Sequence, residues 1–185
     1  VMALAQAVLG VNRYPDREFT ALRESLADYL GHGLTRDNIW AANGSNEVLQ
    51  QTLQAFGGPG RSVLGFPPTY SMHSIIASGT GTRWVTAERD AGYELSPETV
   101  VAAIDREKPD IVFLCSPNNP TGTALSLETI VAAYDATPGI VLVDEAYAEF
   151  ADGETALTLL DGRPRLLVSR TMSNASAFAG ARLGY

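Results

Sequence analysis

From residue 60 onward the chain alternates between short apolar runs and helical patterns, and this alternation restricts the possible folds more than any other feature. Five runs have the length and the aliphatic character of strands: SVLGF (62–66), TRWV (82–85), IVFLC (111–115), IVLV (140–143) and RLLVS (165–169). Helical patterns lie between them, near residues 70–78, 97–107 and 126–136. Near-continuous apolar strands separated by helices indicate an α/β fold, a mostly parallel sheet with helices on both faces.

Two more helices are predicted ahead of this region. The segment DREFTALRESLADYL carries apolar residues at helical spacing. Pro15 is typical of the start of such a helix, and Gly31 is typical of its end. A second helix is expected to begin near Ser45. Farther along the chain, Ser96 and Ser126 are the predicted starts of two later helices, because serine side chains cap helix N-termini.

Composition narrows the class of protein. The 185 residues are 45% hydrophobic and 18% charged, which is typical of one soluble globular domain, and no apolar run is long enough to span a membrane. The net charge is −8 without a Lys/Arg cluster, so a nucleic-acid partner is not expected. Cys115 is the only cysteine, which excludes an internal disulfide and favours a reducing, cytoplasmic location.

Polar segments follow three of the predicted strands. They are CSPNNPTG (115–122), DEAYAEF (144–150) and SRTMSNASAFAGAR (169–182). In open α/β sheets, ligands bind outside the carboxyl ends of the strands. The fold therefore places these three segments on the edge of the sheet where a ligand is expected.

Single residues in these segments allow two interpretations each. Asp144 could hold a cationic or protonated partner at the end of its strand, or it could cap a helix. Tyr147 could face the same ligand, or it could be a core tyrosine. Tyr70 could stack on a flat ring, or it could pack in the core. Arg182 could bind a phosphate bidentately, through two of its guanidinium nitrogens, or it could lie on the surface.

Two short motifs also have a functional and an ordinary interpretation. The small residues of NGSNE (43–47) precede a helix, where backbone N–H groups and the helix dipole attract anions; the alternative is an ordinary helix cap. In SPNNPTG (116–122), two prolines frame two asparagines, and such a rigid loop can hold an amide in place; the alternative is a plain turn. No metal ligand set is predicted.

Taken together, six motifs resemble those of the fold-type-I aminotransferases that depend on pyridoxal 5'-phosphate (PLP), most of all the histidinol-phosphate branch. They are NRYPD, NGSNE, FPPTY, SPNNPTG, VDEAYAEF and SRTMSNASAFAGARLGY. The resemblance runs over the whole chain. It implies amino transfer between glutamate and imidazole-acetol phosphate in histidine biosynthesis, carried out by a cytoplasmic homodimer.

The resemblance also implies roles for individual residues. Asp144 would pair with the ring nitrogen of PLP, Tyr147 and Asn119 would contact its 3-hydroxyl oxygen, and Tyr70 would stack on the ring. The remaining implied contacts are to phosphate: Ser45, Asn46, Glu47, Ser173 and Arg182 in the same subunit, and Tyr14 toward the phosphate of a partner subunit.

One position departs from the family in a way that matters for catalysis. The family carries its Schiff-base lysine directly after the residue that matches Ser173, and this chain has Asn174 there. An amide is neither nucleophilic nor basic enough to replace that amine. Lys108 is the only lysine, and it precedes the strand at 111–115, at the opposite edge of the sheet. The chain as it stands is therefore predicted to be inactive or nearly so.

The resemblance further implies that residues 1–185 form only part of the PLP-binding large domain. The N-terminal arm, the last strand of the large domain and the small C-terminal domain would be absent. In the family's sheet, that last strand lies between the first strand of the large domain and the strand that matches the run at 165–169. Its absence would leave a gap with exposed sheet edges.

Several functions remain open at this point. An aromatic-amino-acid aminotransferase or a threonine-phosphate decarboxylase would share these motifs. A fragment that binds PLP without catalysis would also retain them. A nucleotide-binding module is disfavoured, because NGSNE lacks the GxGxxG pattern.

Overall fold

A computed structural model describes residues 2–185, which form two compact units, one up to Trp40 and one from Ala41 to Tyr185. The first unit contains helix α1 (Met2–Val8), helix α2 (Thr20–Leu30) and a 3-10 turn at Arg36–Asn38. Gly31 ends α2 with a φ of 71°, as predicted. No helix in residues 2–185 is long and apolar enough to cross a membrane.

The predicted start of α2 at Pro15 is wrong, because the helix begins at Thr20. The Asp16 carboxylate accepts hydrogen bonds from the backbone N–H groups of Glu18 (3.1 Å) and Thr20 (2.8 Å), and these bonds lower the pKa of Asp16. Phe19 then takes a left-handed conformation with a φ of 36°. The chain therefore turns once before the helix starts, a local competition that apolar spacing does not reveal.

The second unit is built on a five-stranded parallel sheet, which confirms the predicted fold class. Its strands are β2 (Ser62–Gly65), β3 (Arg83–Thr86), β4 (Ile111–Cys115), β5 (Ile140–Asp144) and β6 (Leu166–Ser169), in the order β3-β2-β4-β5-β6. All five predicted runs are strands, within one or two residues at each end. Between them lie α4 (Met72–Gly79), α5 (Pro97–Glu107) and α6 (Leu127–Ala136), and α3 (Ser45–Phe56) precedes the sheet.

Alternate residues of the central strands pack against two separate hydrophobic clusters, one on each face. In β4, Val112 and Leu114 join the cluster that includes residues of α5 and α6, whereas Ile111 and Phe113 join the cluster of α3 and α4. Side chains of successive strand residues point to opposite faces, so a strand covered on both sides is apolar throughout. This arrangement explains why β4 reads as an unbroken apolar run.

A second, two-stranded antiparallel sheet joins β1 (Ala42–Asn43) to β7 (Leu183–Gly184). The residues of β7 and its neighbour Tyr185 also pair with the segment after β6. Arg170 and Tyr185 exchange backbone hydrogen bonds of 2.7 and 3.0 Å, and Met172 N–H donates to Leu183 O at 3.0 Å. Residues 183–185 therefore fill the expected gap between β1 and the segment after β6, and that part of the expectation is wrong. Along Leu166–Ser169 the expectation of an exposed edge holds, because β6 is the last strand of the five-stranded sheet.

Candidate functional site

A cavity of about 180 Å³ lies at the carboxyl ends of β4, β5 and β6. Nine of its twelve lining residues were singled out from the sequence, and they come from five separated segments. The lining residues are Ser45, Asn46, Tyr70, Cys115, Asn119, Asp144, Ala146, Tyr147, Thr171, Ser173, Asn174 and Arg182. The fold thus brings together side chains that are up to 137 residues apart in the chain (182 − 45).

Two predicted site residues are not in this cavity. The Glu47 carboxylate turns back along its own helix, where it accepts hydrogen bonds from Asn43 N–H (2.9 Å) and Gln51 Nε2 (3.1 Å). An acidic side chain in the first turn of a helix is well placed to take such donors. Tyr14 belongs to the first unit, in which it is fully exposed.

Asp144 ends β5 with a carboxylate that is almost completely buried, at 1% exposure. One oxygen, Oδ1, accepts hydrogen bonds from Ala146 N–H (3.2 Å) and the Ser169 hydroxyl (3.3 Å). The other, Oδ2, lies 3.0 Å from Nε2 of His73. Donors on both oxygens offset the cost of burying the carboxylate, so Asp144 is held in one orientation at the floor of the cavity.

His73 contacts Asp144 and was not singled out from the sequence. It lies in α4, is 1% exposed, and packs edge-on against Tyr70 and Phe113 at centroid distances of 5.5 and 5.2 Å. When Asp144 is ionised, Nε2 of His73 donates to it. The signal that was available is spacing: a histidine three residues after Tyr70 points from the start of α4 toward the same region as the tyrosine.

Asn119 and Tyr147 converge from two different loops. The Asn119 amide nitrogen donates to the Tyr147 hydroxyl oxygen at 3.4 Å, and both residues line the cavity. An amide N–H and a phenol O–H side by side form a pair of donors for an oxygen atom. Neither motif alone, SPNNPTG or DEAYAEF, indicates that the two side chains meet.

A cup of hydrogen-bond donors lies at the N-terminus of α3. The first hydrogen bond of this helix is donated by Glu47 N–H to Gly44 O, so the amides of Ser45 and Asn46 have no acceptor within the helix. The Arg182 guanidinium lies against Gly44 and donates to the Ser173 hydroxyl at 3.2 Å. The cup therefore combines two backbone N–H groups, a hydroxyl and a guanidinium, a donor set suited to phosphate.

Gly44 is required for this arrangement. Its φ is 87°, which disfavours other residues, and a Cβ atom there would overlap the Arg182 guanidinium. Close by, the Asn46 side-chain oxygen is enclosed and has no hydrogen-bond partner, the one such buried side-chain atom in the described residues. An enclosed acceptor without a partner is costly unless a ligand or water supplies a donor.

Asn174 lines the cavity, where its amide nitrogen donates to Ala146 O at 3.0 Å. No lysine is available to replace it. Lys108 follows α5 and precedes β4, and it lines a different cavity with Gly139 and Ile140 at the amino ends of the strands. The prediction that the only lysine lies at the opposite edge of the sheet is confirmed.

Cys115 ends β4 and lines the cavity beside Asp144. Burial, and next the negative charge of Asp144, raise the pKa of the Cys115 thiol to about 12. The thiol is therefore neutral at physiological pH. A neutral, buried thiol is a poor nucleophile, and Cys115 contributes packing to the cavity wall.

Comparison with known proteins agrees with the motifs. The family model for class I and II aminotransferases matches residues 3–185. The chain belongs to this family. Among curated relatives, it is 64% identical over 188 residues to a histidinol-phosphate aminotransferase of Paenarthrobacter aurescens and 61% identical over 185 residues to one of Thermobifida fusca. In both cases 99% of this chain is covered and 50% of the relative, so the chain spans about half their length.

Solved structures give the same result for the fold. The Sinorhizobium meliloti histidinol-phosphate aminotransferase, in complex with PLP, aligns with a TM-score of 0.88 at 31% identity, over 99% of this chain and 50% of that one. A threonine-phosphate decarboxylase from Porphyromonas gingivalis aligns with a TM-score of 0.81 at 22% identity, over 98% of this chain and 55% of that one, and shows the shared fold alone. The predicted family and fold class are confirmed.

Proposed function

We propose that this chain is the cofactor-holding part of a histidinol-phosphate aminotransferase. The whole protein would transfer an amino group between glutamate and imidazole-acetol phosphate. The observation that carries the proposal is the single cavity in which nine side chains singled out from the sequence meet. The histidinol-phosphate aminotransferases that are 51–64% identical to the chain support this substrate over the alternatives.

The donors and acceptors of the cavity fit PLP. Asp144 would hold the ring nitrogen, Tyr147 and Asn119 the ring hydroxyl, and Tyr70 the ring face. The phosphate would take the amides of Ser45 and Asn46, the Ser173 hydroxyl and Arg182. Bound PLP supplies an electron sink for charge that develops on an amino-acid substrate.

Asn174 limits what this chain can do. A primary amine at this position would bond covalently to the cofactor and move a proton, and an amide does neither. The cup, Asp144 and the Asn119–Tyr147 pair do not depend on that amine. The chain is therefore proposed to bind PLP without a covalent bond and to have little or no aminotransferase activity.

Two further parts of the proposal concern assembly and location. The exposed ring of Tyr14 is proposed to reach the phosphate site of a second copy in a homodimer. A biosynthetic enzyme of this class is proposed to act in the cytoplasm on small soluble substrates.

A chimera tests the substrate. Residues 1–185 would be joined to the remaining half of the Paenarthrobacter aurescens relative, with Asn174 kept or replaced (N174K). We expect the N174K chimera to transfer the amino group of histidinol phosphate, and the Asn174 chimera to be slower by at least about 10³-fold, since the general base and nucleophile are both lost.

The same chimera separates the alternative substrates. Phenylalanine and threonine phosphate would be assayed beside histidinol phosphate, with borohydride trapping to verify that PLP is attached at position 174 in the N174K form. A faster reaction with phenylalanine or threonine phosphate would overturn the proposed substrate. Absence of saturable PLP binding to the parent chain in equilibrium dialysis would overturn the proposed cofactor site.

A further inference from the structure

We propose that Asn118 is a positioning residue, which sets the separation between Tyr70 and Asn119 and thereby the fit of the cavity to a planar ring. This inference rests on the proposed function and deepens it. Asn118 does not line the cavity. It is 2% exposed and directly precedes Asn119, in the loop after β4.

The Asn118 side chain joins this loop to the one that carries Tyr70. Its amide oxygen accepts a hydrogen bond from the Thr69 hydroxyl at 3.0 Å. Its amide nitrogen donates to Pro68 O at 2.9 Å and to the Thr121 hydroxyl at 2.7 Å. Both N–H groups and the oxygen are thus used, so the amide is fixed in orientation. Two of the three partners immediately precede Tyr70 in the chain.

The backbone of Asn118 closes the second loop on itself. Its N–H donates to Thr123 O at 2.8 Å, and its carbonyl accepts from Gly122 N–H at 2.8 Å. Asn119 therefore projects into the cavity from a closed turn. The turn is tied to residues 68 and 69 through one buried side chain.

Arg89 also links the loop after β2 to the loop that carries Asn118. It is 8% exposed, its Nε donates to Phe66 O at 2.9 Å, and one terminal nitrogen donates to Tyr93 O at 3.0 Å. The Thr123 hydroxyl donates to the same Tyr93 carbonyl at 3.1 Å. Hydrogen bonds therefore run from the end of β2, through Arg89 and Thr123, to the Asn118 loop.

We call the set formed by Asn118, Thr69, Thr121, Thr123 and Arg89 the loop clamp. The loop clamp adjoins the residues that would contact a ring but includes none of those that would bind phosphate. The cup for phosphate is formed by Ser45, Asn46, Ser173 and Arg182, none of which belongs to the clamp. Tyr70 and Asn119, which would contact a ring, both follow directly after a clamp residue. Loosening the clamp should therefore weaken recognition of a ring and leave recognition of a phosphate ion unchanged.

Two probes separate these effects. The first is 4'-deoxypyridoxine 5'-phosphate, which carries the ring and the phosphate but no aldehyde, so it cannot react with Lys108. The second is inorganic phosphate. Their dissociation constants would be measured by calorimetry on the parent chain, on N118A and on T69V, which removes only the hydroxyl bonded to Asn118. T129V is the matched control, since Thr129 is also buried (1% exposed) and donates to Leu95 O, outside the clamp.

We expect N118A to weaken binding of the ring probe by about 10-fold or more and T69V by about 3-fold or more, in line with the loss of buried hydrogen bonds. Phosphate binding should stay within about 2-fold of the parent in both. T129V should change neither constant, whatever it does to the melting temperature. If N118A does not fold, T69V decides the question.

Other outcomes overturn the inference. If N118A and T69V weaken the binding of both probes to the same degree, Asn118 has only a general structural role. The same conclusion follows if T129V weakens binding of the ring probe as much as T69V does. If the ring probe is unaffected in N118A or T69V, the clamp does not position the ring contacts. If the parent chain binds phosphate but no ring probe, or neither one, the proposed cofactor site itself fails, and that result is visible before any variant is measured.

Discussion

The structure favours one of the two interpretations of Asp144 that the sequence left open. The 3-10 turn Ala148–Phe150 that follows β5 has Tyr147 at its N-cap position, so Asp144 caps no helix. One oxygen of Asp144 accepts the Ala146 N–H directly after β5, and the other lies 3.0 Å from His73 Nε2. The residue therefore belongs to the candidate site. A sequence motif places the carboxylate at the end of its strand, but the histidine that holds it comes from 71 residues earlier.

The thiol of Cys115 leads to a prediction at the level of one residue. With a pKa of about 12, only about one thiol in ten thousand is ionised at pH 8, whereas a cysteine with the ordinary pKa of 9.0 is about one-tenth ionised. We expect the native chain to react with a disulfide reagent such as DTNB at least about 100-fold more slowly than the unfolded chain, in which the thiol is exposed. Because the chain has one cysteine, the absorbance change reports this site alone.

The same raised pKa affects stability at high pH. The unfolded thiol ionises near its ordinary pKa of 9.0 and the folded thiol only near 12, so the folded state retains the proton over that interval. The contribution of the neutral thiol to stability is therefore fully present below about pH 9 and declines as the pH rises toward 12. The variant C115A should lose this part of the pH dependence. For the reactivity prediction above, rapid stoichiometric labelling of Cys115 by DTNB in the native chain would contradict a buried, neutral thiol.

At the level of elements, buried charges join the ends of β5 and β6. Arg170 Nε and one terminal nitrogen lie 3.1 and 2.7 Å from a Glu145 carboxylate oxygen, and the same oxygen accepts the Thr155 hydroxyl at 2.7 Å. Both side chains are largely buried, at 11% and 5% exposure. The pair holds the start of the segment that continues to Ser173 and Asn174.

Removal of one partner should therefore be costly. We expect R170M to lower the free energy of unfolding by about 3 kcal/mol or more, because Glu145 is left buried with an uncompensated charge. R106M is the matched control, since Arg106 forms a 2.8 Å pair with Glu107 on the surface, and its loss should cost less than about 1 kcal/mol. Urea unfolding curves of the two variants check this. Equal losses would show that burial adds nothing to the Arg170–Glu145 pair.

At the scale of the whole second unit, β7 connects the segment after β6 to the donor cup at the N-terminus of α3. A Cβ atom at Gly184 would overlap the backbone of Gly44 and Ser45, so β7 passes directly against the N-terminus of α3. Backbone atoms cannot rotate away as a flexible side chain can. A glycine is required here by this close approach.

The variant G184A tests that connection. We expect it to destabilise the second unit by about 1–3 kcal/mol through overpacking, and to weaken phosphate binding, because the displaced Ser45 amide belongs to the cup. G180A is the control, since a Cβ atom at Gly180 meets nothing within 4 Å. Thermal unfolding and phosphate titration of both variants provide the measurements. Unchanged phosphate affinity in a folded G184A variant would show that β7 does not shape the cup.

Local signals predicted most of the second unit. The Ser96 and Ser126 side chains accept the N–H groups of Thr99 and Thr129, as expected of N-caps, and the strands lie where the apolar runs are. Prediction failed where a side chain bonded locally against the expected pattern. Asp16 delayed the start of α2, and Glu47 turned to Asn43 instead of to the cavity. Hydrogen bonds of this kind depend on rotamers, which periodicity does not encode.

By itself, the sequence determined the parallel sheet, the segments at its carboxyl edge, the family, and the replacement of the family's lysine by Asn174. Periodicity and motif spacing are properties of the chain, so they could be read before folding. Only the tertiary structure decided the His73–Asp144 contact, the loop clamp around Asn118 and the position of β7 between β1 and the end of β6. Each of these joins residues that are far apart in the chain, and such contacts depend on how strands and helices pack.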